Sequence, residues 1–284
     1  MSRSGIMLAY PFEEKRLSKW TAPYIIQPKL DGDRCRAIID SDGEAILLSS
    51  EMNIINSVPH INSALKNLHL RSVELDGELY IHGAPHEVIH GIVSRTENMH
   101  PDSALIQFHI FDIVIEGSQI ERSTILYRDL IPTKRTGTGI GSPIQVVPIR
   151  IIDDIDSIMS TLDDYMNNRY EGFVIRNASG LYARKRSTDM MKFKPRKKDS
   201  YKILGYEEER DIYGQPKGRL GALICISNDG GTFKVGSGFT AEQRQNYWNV
   251  KENLIGRIVV VKYQHLTPGR NVPRFPVFAE VKHG

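Results

Sequence analysis

Lys29-Leu30-Asp31-Gly32-Asp33-Arg34 lies between two short apolar runs, Tyr24-Ile25-Ile26 before it and Ala37-Ile38-Ile39 after it. Apolar runs of this length separated by a charged segment that carries a glycine predict two strands joined by a turn. Gly32 lets the backbone turn tightly or approach a ligand closely. A lysine amine becomes a nucleophile when burial or neighbouring cations favour its neutral form. Arg34 and two aspartates, Asp31 and Asp33, stand within five residues of Lys29. The same pattern also describes a solvated hairpin loop, so its meaning depends on what the rest of the chain supplies.

Downstream, Ala45-Ile46-Leu47-Leu48 reads as a strand, and Ser57-Val58-Pro59 opens a helix with Ile61, Leu65 and Leu68 on one face. Val73 to Ile81 alternates as a strand would, which puts Glu74, Asp76 and Glu78 on one face. Adjacent carboxylates repel unless a cation lies among them, so this row predicts a metal or ligand site. His86-Glu87-Val88-Ile89-His90 matches H-E-x-x-H, which on a helix presents two histidines on one face to zinc. No further histidine follows at metzincin spacing, and a zinc protease is the lesser reading beside a plain surface helix. Ile106 to Val114 is β-branched and aromatic, hence a strand, with Phe111 beside Asp112 read as core. The glycine- and proline-rich segment Gly137 to Pro148 reads as a loop running into a strand.

A helix is expected from near Asp154, with Ile155, Ile158, Met159, Leu162, Tyr165 and Met166 along one stripe. Glu171-Gly172-Phe173-Val174-Ile175-Arg176 follows as a strand that places an acid among apolar neighbours, where it needs a partner. In Met191-Lys192-Phe193-Lys194-Pro195, period two puts both lysines on one face, an arrangement that an anion would stabilise. Arg184 to Lys198 holds eight basic residues against one acid, Asp189, and suits phosphate, with a solvated linker as the alternative. From Ser200 the pattern changes to five short strands: Tyr201–Leu204, Ala222–Ile226, Thr232–Val235, Ile258–Tyr263 and Val277–Val281. A helix beginning at Thr240, with Gln243 completing a capping box, falls between the third and fourth. That layout predicts a small barrel of the OB type.

At 284 residues the chain has room for two domains. No apolar run approaches a membrane span, and Met1 to Tyr10 has too short an apolar core for a signal peptide. With only two cysteines, Cys35 and Cys225, far apart, the expectation is a reducing, cytoplasmic setting without a membrane partner. The net charge of +3 is uneven. Residues 1–195 hold 22 basic and 25 acidic side chains, net −3, whereas residues 196–284 hold 15 and 9, net +6. The C-terminal part is thus suited to a polyanion.

Taken together, Lys29 to Arg34, Asp76-Gly77-Glu78, Phe108 to Asp112, Glu171 to Arg176 and Met191 to Pro195 follow the order and spacing of five motifs of the covalent nucleotidyltransferases. The chain resembles this superfamily of ATP-dependent DNA ligases, RNA ligases and mRNA capping enzymes. Val235 to Thr240 with Arg244, and Arg274-Phe275-Pro276-Val277-Phe278, resemble the OB domain of small viral DNA ligases and favour that branch. The resemblance implies an α+β fold. A nucleotidyltransferase domain, ATP-grasp-like with antiparallel sheets and helices, would occupy residues 1–195, and an OB-fold β-barrel residues 196–284.

It also implies a monomeric enzyme that seals 3′-hydroxyl/5′-phosphate nicks in duplex DNA with ATP and Mg2+, Mn2+ being the substitute. An RNA ligase or a capping-type guanylyltransferase is the alternative. Lys29 would carry AMP, with Arg34, Lys192 and Lys194 around the phosphates. Glu78 would contact the ribose and Phe111 would stack on adenine, displacing the core reading of that residue. Glu171 would hold the metal, with Asp31 near the 3′-hydroxyl and a metal, and Glu78 a further metal candidate. Arg176, Arg184, Lys185, Arg186, Arg196, Lys197 and Lys198 would face DNA.

Three departures accompany the resemblance. Gln27 stands where many relatives have a glutamate that contacts the adenine amino group, which its amide carbonyl could still accept. Ser49-Ser50-Glu51 lacks the arginine often found after that strand. The final motif, which orients pyrophosphate, is represented only by Arg274 and Lys282, so slow self-adenylation is expected. No separate DNA-binding domain is expected before Lys29, and Gly205 to Leu220 looks too short to encircle DNA. The basic 184–198 segment and the OB face are therefore expected to grip the nick.

Overall fold

The computed structural model describes residues 5–129, 141–195, 197–263, 265–267 and 270–282. The chain divides into two compact units, Met1–Asp154 with Phe173–Lys192, and Ile155–Gly172 with Phe193–Gly284.

Period-two alternation builds the sheet that positions the candidate site. Its strands run in the order Ala45–Ser49, Asp33–Ile39, Val73–Tyr80, Gln107–Ile113 and Ile144–Val146, antiparallel except for the last pair. Cys35, Ala37, Ile39, Leu75, Leu79, Phe108 and Ile110 are buried on one face. The helices Pro59–Lys66 and His86–Val93 pack on these strands and bury Ile61, Leu65, Ile89, Ile92 and Val93. Each such aliphatic burial stabilises the fold by about 2 kcal/mol. Arg34, Arg36, Glu74, Asp76 and Glu78 share the other face, with Arg34 opposite Glu78 and Arg36 opposite Asp76.

The register slips between Asp76 and Gly77. Asp76 pairs with Asp112 and Gly77 with Ile110, so Phe111 is the additional residue of a β-bulge. Bulges re-aim a side chain, and this one brings Phe111 to the charged face. Gly77 makes the close approach feasible, since a Cβ there would lie 2.5 Å from the His109 carbonyl oxygen.

A second five-stranded sheet orders Leu8–Pro11, Arg186–Phe193, Gly172–Asn177, Tyr24–Lys29 and Arg150–Ile152. The expected strand before Lys29 extends through that residue, so the turn is confined to Leu30, Asp31 and Gly32. Of the segment from Gly137 to Pro148, residues 137–140 lie outside the described residues, and Ile144–Val146 is a strand.

In the second unit the five strands expected after Ser200 are all present, in the order Thr232–Val235, Pro216–Ile226, Lys197–Arg210, Ile258–Tyr263 and Val277–Val281. A parallel bridge between Ser237 and Val277 closes the ends of this sheet into a barrel around Ile203, Leu223, Val235, Phe239, Val259 and Phe278. The helix Ala241–Asn249 carries the capping box expected at Thr240 and Gln243. Tyr247 and Trp248 pack against the barrel core. Arg244, 6% exposed, donates to the Leu220, Gly221 and Gly236 carbonyls and to Asp163 Oδ2 at 2.7 Å, which fastens the Ile155–Asn167 helix to this unit. The segment from Gly205 to Leu220 forms the outer part of a long hairpin. Its tip leaves Ile212 90% and Tyr213 80% exposed.

Among the described residues no helix is long and apolar enough to cross a membrane.

Candidate active site

Lys29 ends its strand half-buried, and its Nζ donates to the Leu30 carbonyl at 3.2 Å. The turn that follows is pressed onto the Val73–Tyr80 strand. A Cβ on Gly32 would lie 2.3 Å from the Leu79 carbonyl oxygen and 2.9 Å from Glu78 Cγ, so only glycine fits without a backbone shift. This close approach brings Glu78 into the field of Lys29. Burial drives the Glu78 carboxyl up to about 7, against the opposing pull of Arg34 and Lys29. A carboxyl poised there can both donate and accept hydrogen bonds near neutral pH.

Arg34 reaches from the neighbouring strand to Asp76 in a two-pronged ion pair, Nε to Oδ1 at 2.7 Å and Nη2 to Oδ2 at 2.5 Å. The Tyr182 hydroxyl donates to the same carboxylate at 2.6 Å. Planar paired donors of this kind fix a guanidinium's orientation. Arg36 binds Glu74 at 2.6 Å, and Arg184 binds it through both terminal nitrogens at 2.9 and 2.6 Å. The carboxylate row expected to gather a metal or ligand is therefore neutralised by arginines at Glu74 and Asp76. Their partners lie one strand over and 110 residues on.

Two guanidinium groups lie over the Phe111 ring, Arg34 at 4.6 Å and Arg176 at 5.4 Å from its centroid. Cations over the ring face stabilise this arrangement and hold a flat aromatic on the charged side of the sheet. Behind it runs an interior network that sequence reading missed. Asp112, 1% exposed, takes Arg122 Nε at 2.9 Å and Arg176 Nη1 at 2.9 Å, and Gln119 Oε1 accepts from both arginines. Gln27, 2% exposed, donates to the Phe111 carbonyl at 3.1 Å and accepts from Arg176 Nε at 2.9 Å. A charged residue inside the apolar run at Asp112 was the available signal, because a buried carboxylate requires a partner.

This network bears on two expectations. Gln27 is enclosed, and its carbonyl oxygen accepts from Arg176. Arg176, 3% exposed and bonded to Asp112, Gln27 and Gln119, does not face DNA. Arg184 is drawn onto Glu74 and the Gly5 carbonyl, and Arg186 onto the Ala9 carbonyl and the Tyr10 ring. Lys185, Lys197 and Lys198 are exposed, Lys198 with Glu280 at 3.2 Å. Arg196 lies outside the described residues.

Lys192 lies on the Arg186–Phe193 strand of the first unit, while Lys194 and Glu171 belong to the second. Glu171, its side chain 9% exposed, receives the Lys194 ammonium on Oε1, a partner that its apolar surroundings demand. Asp31 is half-buried in the turn after Lys29. Arg274 stacks on Phe275 at 4.8 Å, and Lys282 is exposed.

Comparison with known proteins agrees with this geometry. Residues 6–194 match the family model described as ATP dependent DNA ligase domain, and residues 213–282 match DNA ligase OB-like domain. A DNA ligase of Haemophilus influenzae is 26% identical over 283 residues, covering 98% of this chain and 92% of the relative. African swine fever virus DNA ligases are 25–26% identical, and the chain spans 61% of their length. The fold is similar to that of Chlorella virus DNA ligase-adenylate, with a TM-score of 0.66, 24% identity and coverage of 100% and 99% of the two chains. It is also similar to the ATP-dependent DNA ligase of bacteriophage T7, solved in complex with ATP, with a TM-score of 0.70, 15% identity and 98% coverage of both. The match of the ATP dependent DNA ligase domain over residues 6–194, two thirds of the sequence, places this chain in the ATP-dependent DNA ligase family.

Proposed function

We propose that the chain seals nicks in duplex DNA as a monomer through a lysyl-adenylate, with Lys29 as the nucleophile. The observation that carries this reading is the close approach at Gly32, which fixes the turn directly after Lys29 against the strand that carries Glu78. Lys29 Nζ attacks the α-phosphorus of ATP, forming a P–N bond and expelling pyrophosphate. AMP then passes to the 5′-phosphate of the nick, and the 3′-hydroxyl attacks that phosphate and releases AMP. Arg34, Lys192 and Lys194 are the cations proposed to stabilise charge on the transferred phosphoryl group.

Glu78, poised near 7, receives a ribose hydroxyl, and Phe111 offers its ring to adenine. Glu171, a hard oxygen donor, would hold Mg2+ or Mn2+ with Asp31 as the second candidate, and the ion would screen phosphate charge. Arg274 and Lys282 are the candidates for orienting pyrophosphate. Residues 1–195 are taken as the adenylation domain and 196–284 as the OB domain, a division supported by the extents of the two family matches. Lys185, Lys197 and Lys198 supply the phosphate contacts that remain once Arg176 is assigned to the interior. The enzyme works in a reducing compartment, where its buried Cys35 and Cys225 stay as thiols.

Incubation with α-labelled ATP and Mg2+, followed by unlabelled nicked duplex, tests this reading. Label should become covalent on the wild-type protein, be absent from Lys29→Ala, and be discharged as sealed strand appears. Labelling by GTP in place of ATP, or sealing by Lys29→Ala, would contradict it.

A further inference from the structure

The proposed nucleotidyl transfer assigns no role to the H-E-x-x-H segment or to Asp33, which its two histidines meet. Asp33 opens the strand that carries Arg34, and strand alternation sends its side chain to the opposite face, toward the His86–Val93 helix. His86 Nε2 lies 3.0 Å from Asp33 Oδ1 and His90 Nδ1 lies 2.9 Å from Oδ2. The four-residue spacing stacks the two imidazoles on one helix face, 5.7 Å apart with planes at 17°. Three donor atoms, one from each residue, lie within 4.8 Å of one another.

We propose that Asp33, His86 and His90 bind one zinc-class divalent ion beside the turn that carries Lys29. In a tetrahedral zinc site with bonds near 2.0–2.2 Å, neighbouring donors stand about 3.3 Å apart. The histidine nitrogens lie 3.0 and 2.9 Å from the two different oxygens of Asp33, and with the donor atoms within 4.8 Å of one another the imidazoles would turn inward to share one ion. One carboxylate and two imidazoles are a donor set for zinc, cobalt or nickel, whereas Mg2+ demands an octahedron of oxygens and does not compete. The side chains of His86 and His90 are 41% and 60% exposed and that of Asp33 19%, so the ion has an open path and room for a water as fourth ligand. Among the described residues, none of the three side chains makes a hydrogen bond elsewhere.

The consequence follows from Gly32. Because that residue is wedged against the Leu79 carbonyl, Asp33 moves with the nucleophile's turn, and an ion shared with His86 and His90 would staple the helix to it.

The test is binding of Zn2+ and Co2+ to chelator-treated full-length protein in buffer containing excess Mg2+. The expected result is one ion per chain, with visible Co2+ d–d absorption and a Zn2+-dependent rise in unfolding temperature. His86→Gln and His90→Gln should each weaken binding by more than about tenfold, while their metal-free unfolding temperature and self-adenylation in Mg2+ report an intact fold. As a check independent of any variant, one equivalent of Co2+ should broaden two histidine ring signals of the wild type selectively. Absence of stoichiometric binding, binding unchanged in His90→Gln, or no selective broadening would overturn the proposal.

Discussion

Glu78 makes the most specific demand on experiment at the level of single residues. Its carboxyl rises from the usual 4.5 to about 7 because burial disfavours the charged form. The folded protein therefore binds more protons than the unfolded chain between those values, and stability falls as pH rises through that window. Glu78→Gln removes the penalty. The variant should match the wild type below pH 4.5 and exceed it by about 2 kcal/mol at pH 8, after discounting for partial exposure. Denaturant titrations at the two pH values check this, and the same variant should adenylate poorly if the carboxyl holds the ribose. Asp76 makes the opposite case. Asp76→Ala removes the carboxylate that accepts from Arg34 and Tyr182 and leaves Arg34 only the Met7 carbonyl as acceptor among the described residues, which should cost about 3 kcal/mol by the same titration. Its side effect is a loosened Phe111, since Arg34 is one of the two cations that clamp the ring.

At the scale of elements, strand positions were legible because alternation and β-branched runs are local properties. The partners of charged faces were legible only where they too were local. Arg34 and Arg36 repeat with the same period as Glu74, Asp76 and Glu78, so the ladder between them could have been paired from the pattern. Arg184 on Glu74 and Arg176 on Asp112 could not, because folding alone brings together residues 110 and 64 apart. The bulge at Phe111 likewise depends on register, which a single strand does not encode. Arg176 now separates two readings by experiment. Arg176→Met should lower unfolding temperature and ATP affinity, yet leave the salt dependence of DNA binding unchanged, because the side chain is enclosed. The hairpin whose tip exposes Ile212 and Tyr213 is an element with apolar surface to offer. Ile212→Ser with Tyr213→Ser should weaken nicked-duplex binding in a filter assay while self-adenylation stays at the wild-type rate.

For the whole molecule, the uneven charge foretold a polyanion partner, and membership of the ATP-dependent DNA ligases gives that partner as DNA. Not all of the basic 184–198 segment is available to it, since Arg184 and Arg186 are committed to Glu74 and the Ala9 carbonyl. Replacing Lys185, Lys197 and Lys198 with alanine should flatten the salt slope of nick binding by roughly one unit for each phosphate no longer neutralised. The proposed reaction itself rests on Lys29 carrying the nucleotide. Mass spectrometry of peptides from protein incubated with ATP and Mg2+, before and after addition of nicked duplex, tests that claim most directly. A single adenylate on Lys29 that disappears in step with strand sealing is the predicted result, and an adduct on another residue, or sealing without discharge of Lys29, would contradict it.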